Sequence, residues 1–287
     1  MAVFVGGLAI GSVYALVALG VILIFRATSV VNFAQGELLM LSAYAYVLVG
    51  KHTTSPFLQL VVPLATGIAG GLVCFAVTQF LLRHSTALVK VIGTLALLVF
   101  AQATVTKLFS ANARPAKGWI VGQASISVGG TRIADNSLIL IGFMVVTSAL
   151  LFSWLGLTNY GRGMRAVAED PWRAALSGIH VNRMLATSWV VGGLMAGIAG
   201  LLLAPITDVY PTMGAAIIFP AFTAALLGGF TNLLGAVLGG VLLGLLQTYS
   251  VVYVGAAWEN VVVFLVLLGV LLWRPSGILG AGRVRAV

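Results

Sequence analysis

Nine stretches of the chain are apolar almost throughout, at about 3–25, 30–50, 56–82, 90–108, 137–158, 184–205, 213–230, 234–254 and 257–273, with short polar stretches between them. A helix that crosses a bilayer needs roughly 20 mostly apolar residues. The pattern predicts an all-α fold: a polytopic transmembrane helical bundle of eight to nine helices, forming one domain over 1–287. The second run is polar at its start, and the seventh is short and carries Pro220. Either can enter the membrane without crossing it, because discontinuous helices are tolerated where they are buried in protein or line a cavity. Eight spans therefore stay open beside nine. The stretch from Met1 to Gly7 has no basic lead and no small-residue cleavage site, and reads as the start of the first helix rather than as a signal peptide.

Composition strengthens this picture. Hydrophobic residues are 61% of the chain and charged residues 7%, against roughly 25% charged in a soluble domain. Too few polar groups exist to cover a soluble surface, which excludes a cytosolic enzyme, a nucleic-acid-binding protein and a disordered chain. The 35 glycines suit close helix packing in a membrane. Runs such as Gly228-Gly229 and Gly235, Gly239, Gly240 and Gly244 have small-xxx-small spacing and predict tight helix contacts.

The net charge of +9 is dispersed between apolar runs, as topology signals are. With nine spans and a cytoplasmic C-terminus, the inner loops hold Arg26, Arg83, Lys90, Arg162, Arg165, Arg173, Arg183, Arg274, Arg283 and Arg285. The outer side holds Lys51, Lys107, Arg114, Lys117 and Arg132. Ten against five follows the positive-inside rule and places the N-terminus outside. Cys74 is the only cysteine, so no internal disulfide can form, and His52, His84 and His180 fit no metal spacing. No metal and no cofactor are expected.

Two loops are long enough to carry structure. In the outer one, about 109–136, Ala124-Ser-Ile-Ser-Val128, Gly129-Gly130 and Thr131-Arg-Ile133 predict a small β-hairpin. In the inner one, about 159–183, Asp170 is a good N-cap and Pro171 suits the first helical position. A helix of under two turns from Trp172 is expected to end at Gly178. So short a helix must be held by the rest of the protein or by a partner. It also presents Trp172 beside Arg173. The loop reads either as a docking helix for a cytoplasmic subunit or as a simple re-entry loop carrying inside-positive charge.

Within the apolar runs, charge marks function by default. Asn32, Gln35 and Glu37 cluster at the start of the second run, with Gly36 permitting a break. They and Gln102 are candidates for a translocation path, or else for a hydrogen-bonded helix start. Asp135, Asp208 and Glu259 fall in or beside outer connections and are expected to be solvated. Thr94, Thr104, Thr106, Thr223, Asn232 and Gln247 are expected to be satisfied by neighbouring helices. The chain has no G-x-x-x-x-G-K-[ST] phosphate loop, no arginine-rich voltage-sensing helix, no filter signature and no intramembrane chain of acids. It reads as a pathway that depends on something else for energy or selectivity.

Three blocks carry a resemblance: Gly11-Ser-Val-Tyr-Ala-Leu-Val-Ala-Leu-Gly20 with Val31-Asn-Phe-Ala-Gln-Gly-Glu37; Gly161-Arg-Gly-Met-Arg-Ala-Val-Ala-Glu-Asp170 with Ala174-Ala175 and Gly178-Ile179; and Trp273-Arg-Pro-Ser-Gly-Ile-Leu-Gly280. In this order, over essentially the whole chain, they resemble the branched-chain amino acid ABC transporter permeases. Ala196-Gly-Ile-Ala-Gly200 is similar, less specifically. The resemblance implies a subunit of an ATP-driven importer of the bacterial inner membrane. Its partners would be a second permease subunit, favoured as a different paralogue, two cytoplasmic ATPase subunits, an extracytoplasmic solute-binding protein and membrane lipid. The family's cytoplasmic-loop motif falls on Arg165, Ala166, Glu169, Asp170, Ala174, Ala175 and Gly178, which would dock the ATPase together with Trp172. One departure is Gln35, where many relatives have histidine. The resemblance implies a small polar or zwitterionic solute, with branched-chain amino acids leading, and no covalent chemistry in this chain. A passive channel for a small neutral solute such as urea or an amide, and a membrane scaffold, are the competing readings. Pro63, Pro205 and Pro220 are candidate kinks.

Overall fold

A computed structural model describes residues 1–116, 125–128, 131–230, 232–274 and 277–278. Each of the nine apolar runs forms a helix: α1 (Ala2–Thr28), α2 (Gln35–His52), α3 (Pro56–Ala76), α4 (Ala87–Phe109), α5 (Asp135–Leu157), α8 (Val181–Leu203), α9 (Met213–Gly228), α10 (Leu233–Tyr253) and α11 (Glu259–Trp273). Between α5 and α8 lie α6 (Asn159–Glu169) and α7 (Pro171–Leu176). A π-helical turn, Val77–Leu81, extends α3, and a 3-10 turn, Ala256–Trp258, leads into α11. Strands β1 (Ser125–Val128) and β2 (Thr131–Ala134) pair antiparallel with Ser125 opposite Ala134 and Val128 opposite Thr131. The Gly129-Gly130 turn expected there lies outside the described residues, as do Lys117, Arg283, Arg285 and half of the terminal Trp-Arg-Pro block.

Among the described residues seven helical segments are long and apolar enough to cross a membrane: Ala2–Thr28, Pro56–Leu81, Ala87–Phe109, Ser137–Leu157, Val181–Leu203, Leu233–Tyr253 and Ala256–Trp273. The protein is a multi-pass membrane protein. The two apolar helices outside this set are the two that sequence marked. At 1.5 Å per residue α2 spans about 27 Å and α9 about 24 Å, short of a hydrocarbon core of about 30 Å. Pro63 and Pro220 lie inside α3 and α9, while Pro205 lies just beyond α8.

Helix α1 is apolar all round and is the core of the bundle, as a helix without a polar face must be. Residues Val13 to Ile24 are buried in an unbroken run, against α10, α8, α9 and α5. The close approach of α1 and α10 depends on glycine. A Cβ on Gly11 would stand 2.8 Å from the Gly240 carbonyl oxygen, and one on Gly244 would run into the Gly11 backbone. Helices α2 and α9 meet in the same way, where a Cβ on Gly214 would lie 2.6 Å from the Gly36 carbonyl. Helices α4 and α11 are peripheral. Leu88, Ile92, Val99, Phe100 and Leu108 of α4 are exposed on the isolated chain.

Candidate functional site

At one end of the bundle the chain leaves α5 and lays α6 across it. Thr158 caps α6 by accepting from the Gly161 amide at 3.2 Å. The helix buries Gly161, Met164 and Val167, spaced one turn apart, and turns Arg162, Arg165 and Glu169 outward. Gly161 is required because a Cβ there would overlap the Leu155 backbone. Arg165 reaches back 2.5 Å to the Leu155 carbonyl oxygen, so its guanidinium ties α6 to the end of α5. Sequence reasoning missed α6. Two glycines lower its helix propensity, although the Thr158 cap and the 161–164–167 spacing were visible.

The expected capped helix is α7. Asp170 Oδ1 accepts from the amides of Trp172 at 2.9 Å and Arg173 at 3.0 Å. Its Oδ2 lies 3.1 Å from Arg173 Nε. At the other end Ile179 N donates to Ala174 O and Gly178 N to Ala175 O, with Gly178 at φ 79°. This is the two-bond Schellman closure, in which glycine takes the left-handed position. Ala174 is the residue of α7 that is buried. Trp172 and Leu176, one turn apart, are 72% and 69% exposed, so α7 offers an apolar face to something outside the chain. Ala166 is half-buried and Glu169, Ala175 and Gly178 are exposed around it. A groove of about 500 Å³ runs between α6 and the start of α8, lined by Arg162, Ala166, Gly178, His180 and Arg183.

The second candidate cluster lies inside the bundle. After α1 ends, with Ser29 in the left-handed region at φ 55°, residues 29–34 are not helical and run back into the protein. Gln35 packs against Gly20 of α1 and donates to the Gly192 carbonyl of α8 at 2.7 Å. Gly20 is about 12 Å from the end of α1 by helix rise, so α2 begins deep in the bundle. Non-helical backbone at that depth needs partners. Asn32 Oδ1 accepts from the Ala34 amide at 3.1 Å, Thr94 Oγ1 accepts from the Phe33 amide at 3.2 Å, and Asn32 Nδ2 donates to Gln35 Oε1 at 3.1 Å. Asn32 and Gln35 are fully buried and spend their polar atoms holding this re-entrant turn.

Glu37 and Gln102 form a separate pair. Gln102 Nε2 of α4 donates to Glu37 Oε1 at 2.9 Å. Glu37 is buried, and its Oε2 has no hydrogen-bond partner among the described residues. Glu37 lines a cavity of about 220 Å³ between α2, α3 and α4 whose exposed wall is wholly apolar and includes Leu38, Gly70, Cys74, Leu97 and Phe100. The structure thus splits the four interior candidates into a pair that holds the re-entrant turn and a pair that joins α2 to α4.

A third polar group escaped sequence reasoning. Tyr14 Oη of α1 donates to Gln247 Oε1 of α10 at 2.5 Å, and Gln247 Nε2 donates to Glu259 Oε1 of α11 at 2.8 Å. They border a cavity of about 410 Å³ at the end of the bundle away from α6 and α7, with Asp208 and Tyr210 also on its wall. Glu259 was expected to be solvated. It is exposed, and it also accepts this bond. Burial raises the Tyr210 phenol above its ordinary range, and the Glu259 charge adds to the shift.

The family described as branched-chain amino acid transport system / permease component matches residues 3–271. The chain belongs to this family. The permease is 30% identical to the high-affinity branched-chain amino acid transport system permease protein LivH of Escherichia coli K12, over 98% of this chain and 96% of that protein. It is 30% identical to the permease protein BraD of Pseudomonas aeruginosa PAO1, over 99% of this chain and 96% of that protein. Its fold is similar to that of a metal-chelate type ABC transporter solved in an inward-facing conformation. That likeness has a TM-score of 0.55 and 18% identity, and covers 95% of this chain and 86% of that one. As a permease component the chain is a transporter subunit and not itself an enzyme.

Proposed function

We propose that this chain is one of two permease subunits of an ATP-driven importer in the bacterial inner membrane, carrying small zwitterionic solutes, with branched-chain amino acids first. The observation that carries the coupling part of this reading is α7. A six-residue helix closed at both ends holds an unpartnered Trp172–Leu176 face off the bundle, at the end that gathers Arg162, Arg165, Arg173 and Arg183. A cytoplasmic ATPase subunit covers that face, and Arg165, Ala166, Glu169, Asp170, Ala174, Ala175 and Gly178 shape or border it. In this reading ATP is hydrolysed by the separate ATPase subunits. Closure of the ATPase pair moves α7, and α6 passes the movement to α5 through Arg165.

In this reading α7 and the C-terminus are cytoplasmic and the N-terminus is outside. The Tyr14–Gln247–Glu259 cavity then faces the extracytoplasmic solute-binding protein. The exposed side of α4 meets the second permease, a paralogue, and the Glu37–Gln102 pair borders the path between them. Helices α2 and α9 complete the count of nine without each spanning the full bilayer. The test is purification from the native membrane in mild detergent, followed by uptake in vesicles. Recovery of a second permease with ATPase subunits, and ATP-dependent leucine uptake by the assembly, are expected. Solute flux through vesicles holding this chain alone without ATP would instead make it a passive channel.

A further inference from the structure

The structure assigns a second ligand to this chain: an anionic phospholipid headgroup, bound between α1, α5 and α6 by Arg26 and Arg165. Arg26 and Arg165 both line a cavity of about 200 Å³. Arg26, in the last turn of α1, is half-buried and no hydrogen bond or ion pair holds it among the described residues. Arg165 uses one nitrogen on the Leu155 carbonyl and keeps its other donors. The ion pair found among the described residues, Arg173–Asp170, is elsewhere. Two like charges on the wall of one small cavity, one half-buried and one exposed, repel each other unless an anion joins them. A phosphate diester suits both, because guanidinium presents paired donors to phosphate oxygens.

The surroundings favour a lipid over a soluble anion. Leu23, Phe152, Leu155 and Met164 make the remaining wall apolar, which suits the start of an acyl chain and offers nothing to free phosphate. Trp154, the chain neighbour of the lining Leu155, stacks on Tyr160 with ring centroids 6.4 Å apart, and Tyr160 is half-exposed. Such amphipathic rings mark the headgroup layer, so the pocket stands at the depth where lipid phosphates lie. Basic pockets between membrane helices take anionic headgroups in this way. A zwitterionic headgroup would bring an ammonium against the second arginine. The inference does not depend on the transport reading, nor on which side of the membrane this end occupies.

The experiment is native mass spectrometry of the purified chain released from neutral detergent holding equal phosphatidylglycerol and phosphatidylcholine. Phosphatidylglycerol should be retained preferentially. Arg26→Gln and Arg165→Gln should each lower that preference about fivefold, the effect of one basic residue at an anionic surface. Arg83→Gln, exposed at the same end but outside the pocket, should leave it unchanged. Equal retention of the two lipids, or equal effects of Arg26→Gln and Arg83→Gln, overturns the assignment. Displacement of the lipid by millimolar inorganic phosphate would make it a soluble-anion site and also overturn it. If the arginine variants do not fold, brominated phosphatidylglycerol should quench wild-type fluorescence more than brominated phosphatidylcholine does. Trp154→Phe should remove the difference, and its persistence would place the lipid elsewhere.

Discussion

Replacement of Asp170 by alanine isolates what the shape of α7 contributes, because this one side chain caps the helix with two amide bonds of 2.9 and 3.0 Å. Loss of an N-cap of this kind costs about 1 kcal/mol. The accompanying Arg173 pair has side chains 84% and 39% exposed, so it adds between about 0 and 1 kcal/mol, at the low end. Six residues cannot stay helical unaided, and one buried residue, Ala174, anchors them. The lost free energy therefore appears almost wholly as a smaller helical fraction. A ligand that needs the helix sees its affinity fall by that fraction. About 1 kcal/mol corresponds to about fivefold.

Gly178→Ala attacks the other end. Its φ of 79° costs a residue with a Cβ about 1 kcal/mol. If α7 is one unit the two losses add, and the double variant should bind roughly 30-fold more weakly. Asp170→Asn keeps the capping oxygen and drops the charge, and should stay within about twofold of wild type. The assay titrates the purified ATPase subunits onto proteoliposomes of each variant and reads the concentration that half-saturates ATP hydrolysis. Bundle melting should not change, since α7 packs on little of it. Equal losses for Asp170→Asn and Asp170→Ala would show that charge, not helix shape, is recognised. No change in Asp170→Ala, Gly178→Ala or the double variant would remove α7 from the contact.

Gly11→Leu drives a side chain into α10, where even a Cβ stands 2.8 Å from a carbonyl oxygen, and should destabilise the bundle by about 1–3 kcal/mol. Cys74, the sole and buried thiol, reports this as earlier labelling by a thiol-reactive dye on heating; an unshifted labelling curve would mean that the α1–α10 contact gives way freely. Gln247→Leu removes both bonds of the Tyr14–Gln247–Glu259 chain, each worth about 0.6 kcal/mol inside a membrane, so a downward shift of a few degrees is expected in the same assay, and a rise would show that the buried amide is a net cost. Gln102→Leu strips Glu37 of its donor; leucine uptake by the assembly should drop at least tenfold (about 1.4 kcal/mol) while ATPase binding is kept, and normal uptake would take the Glu37–Gln102 pair out of the path.

Local signals in the chain were legible and long-range ones were not. Each apolar run became a helix because twenty apolar residues in a bilayer leave the backbone few alternatives. The Asp170 cap and Gly178 stop were legible for the same reason: cap, first turn and stop are within ten residues. The start of α2 was not. Expected near residue 30, it comes at Gln35, because Asn32 within the non-helical turn and Thr94 from α4 satisfy its backbone. The glycine spacing in 235–244 announced a close contact, yet nothing in it could name α1 as the partner. Tyr14 and Gln247 are 233 residues apart and Glu37 and Gln102 are 65 apart. Such pairs are set by which helix faces which, and a single sequence carries no record of that.

The division among the interior polar groups bears on where a solute can pass. Asn32, Gln35 and Thr94 are fully buried and their bonds hold backbone, so a route through the middle of this chain would have to break the turn that starts α2. Glu37 differs. One of its oxygens is unpartnered, its cavity opens between α3 and α4, and α4 is scarcely covered by the rest of the chain, with Ile92, Val99 and Phe100 all exposed. In the reading proposed above, a polar solute meets the Glu37–Gln102 pair on that side rather than a partner in the core. An unpartnered apolar face suits acyl chains and a second subunit alike, and the reading proposed above gives it to the second subunit. In that proposed reading the path of the importer is a property of two permeases facing one another across α4. Flux by one chain alone is the single result with which that arrangement cannot be reconciled.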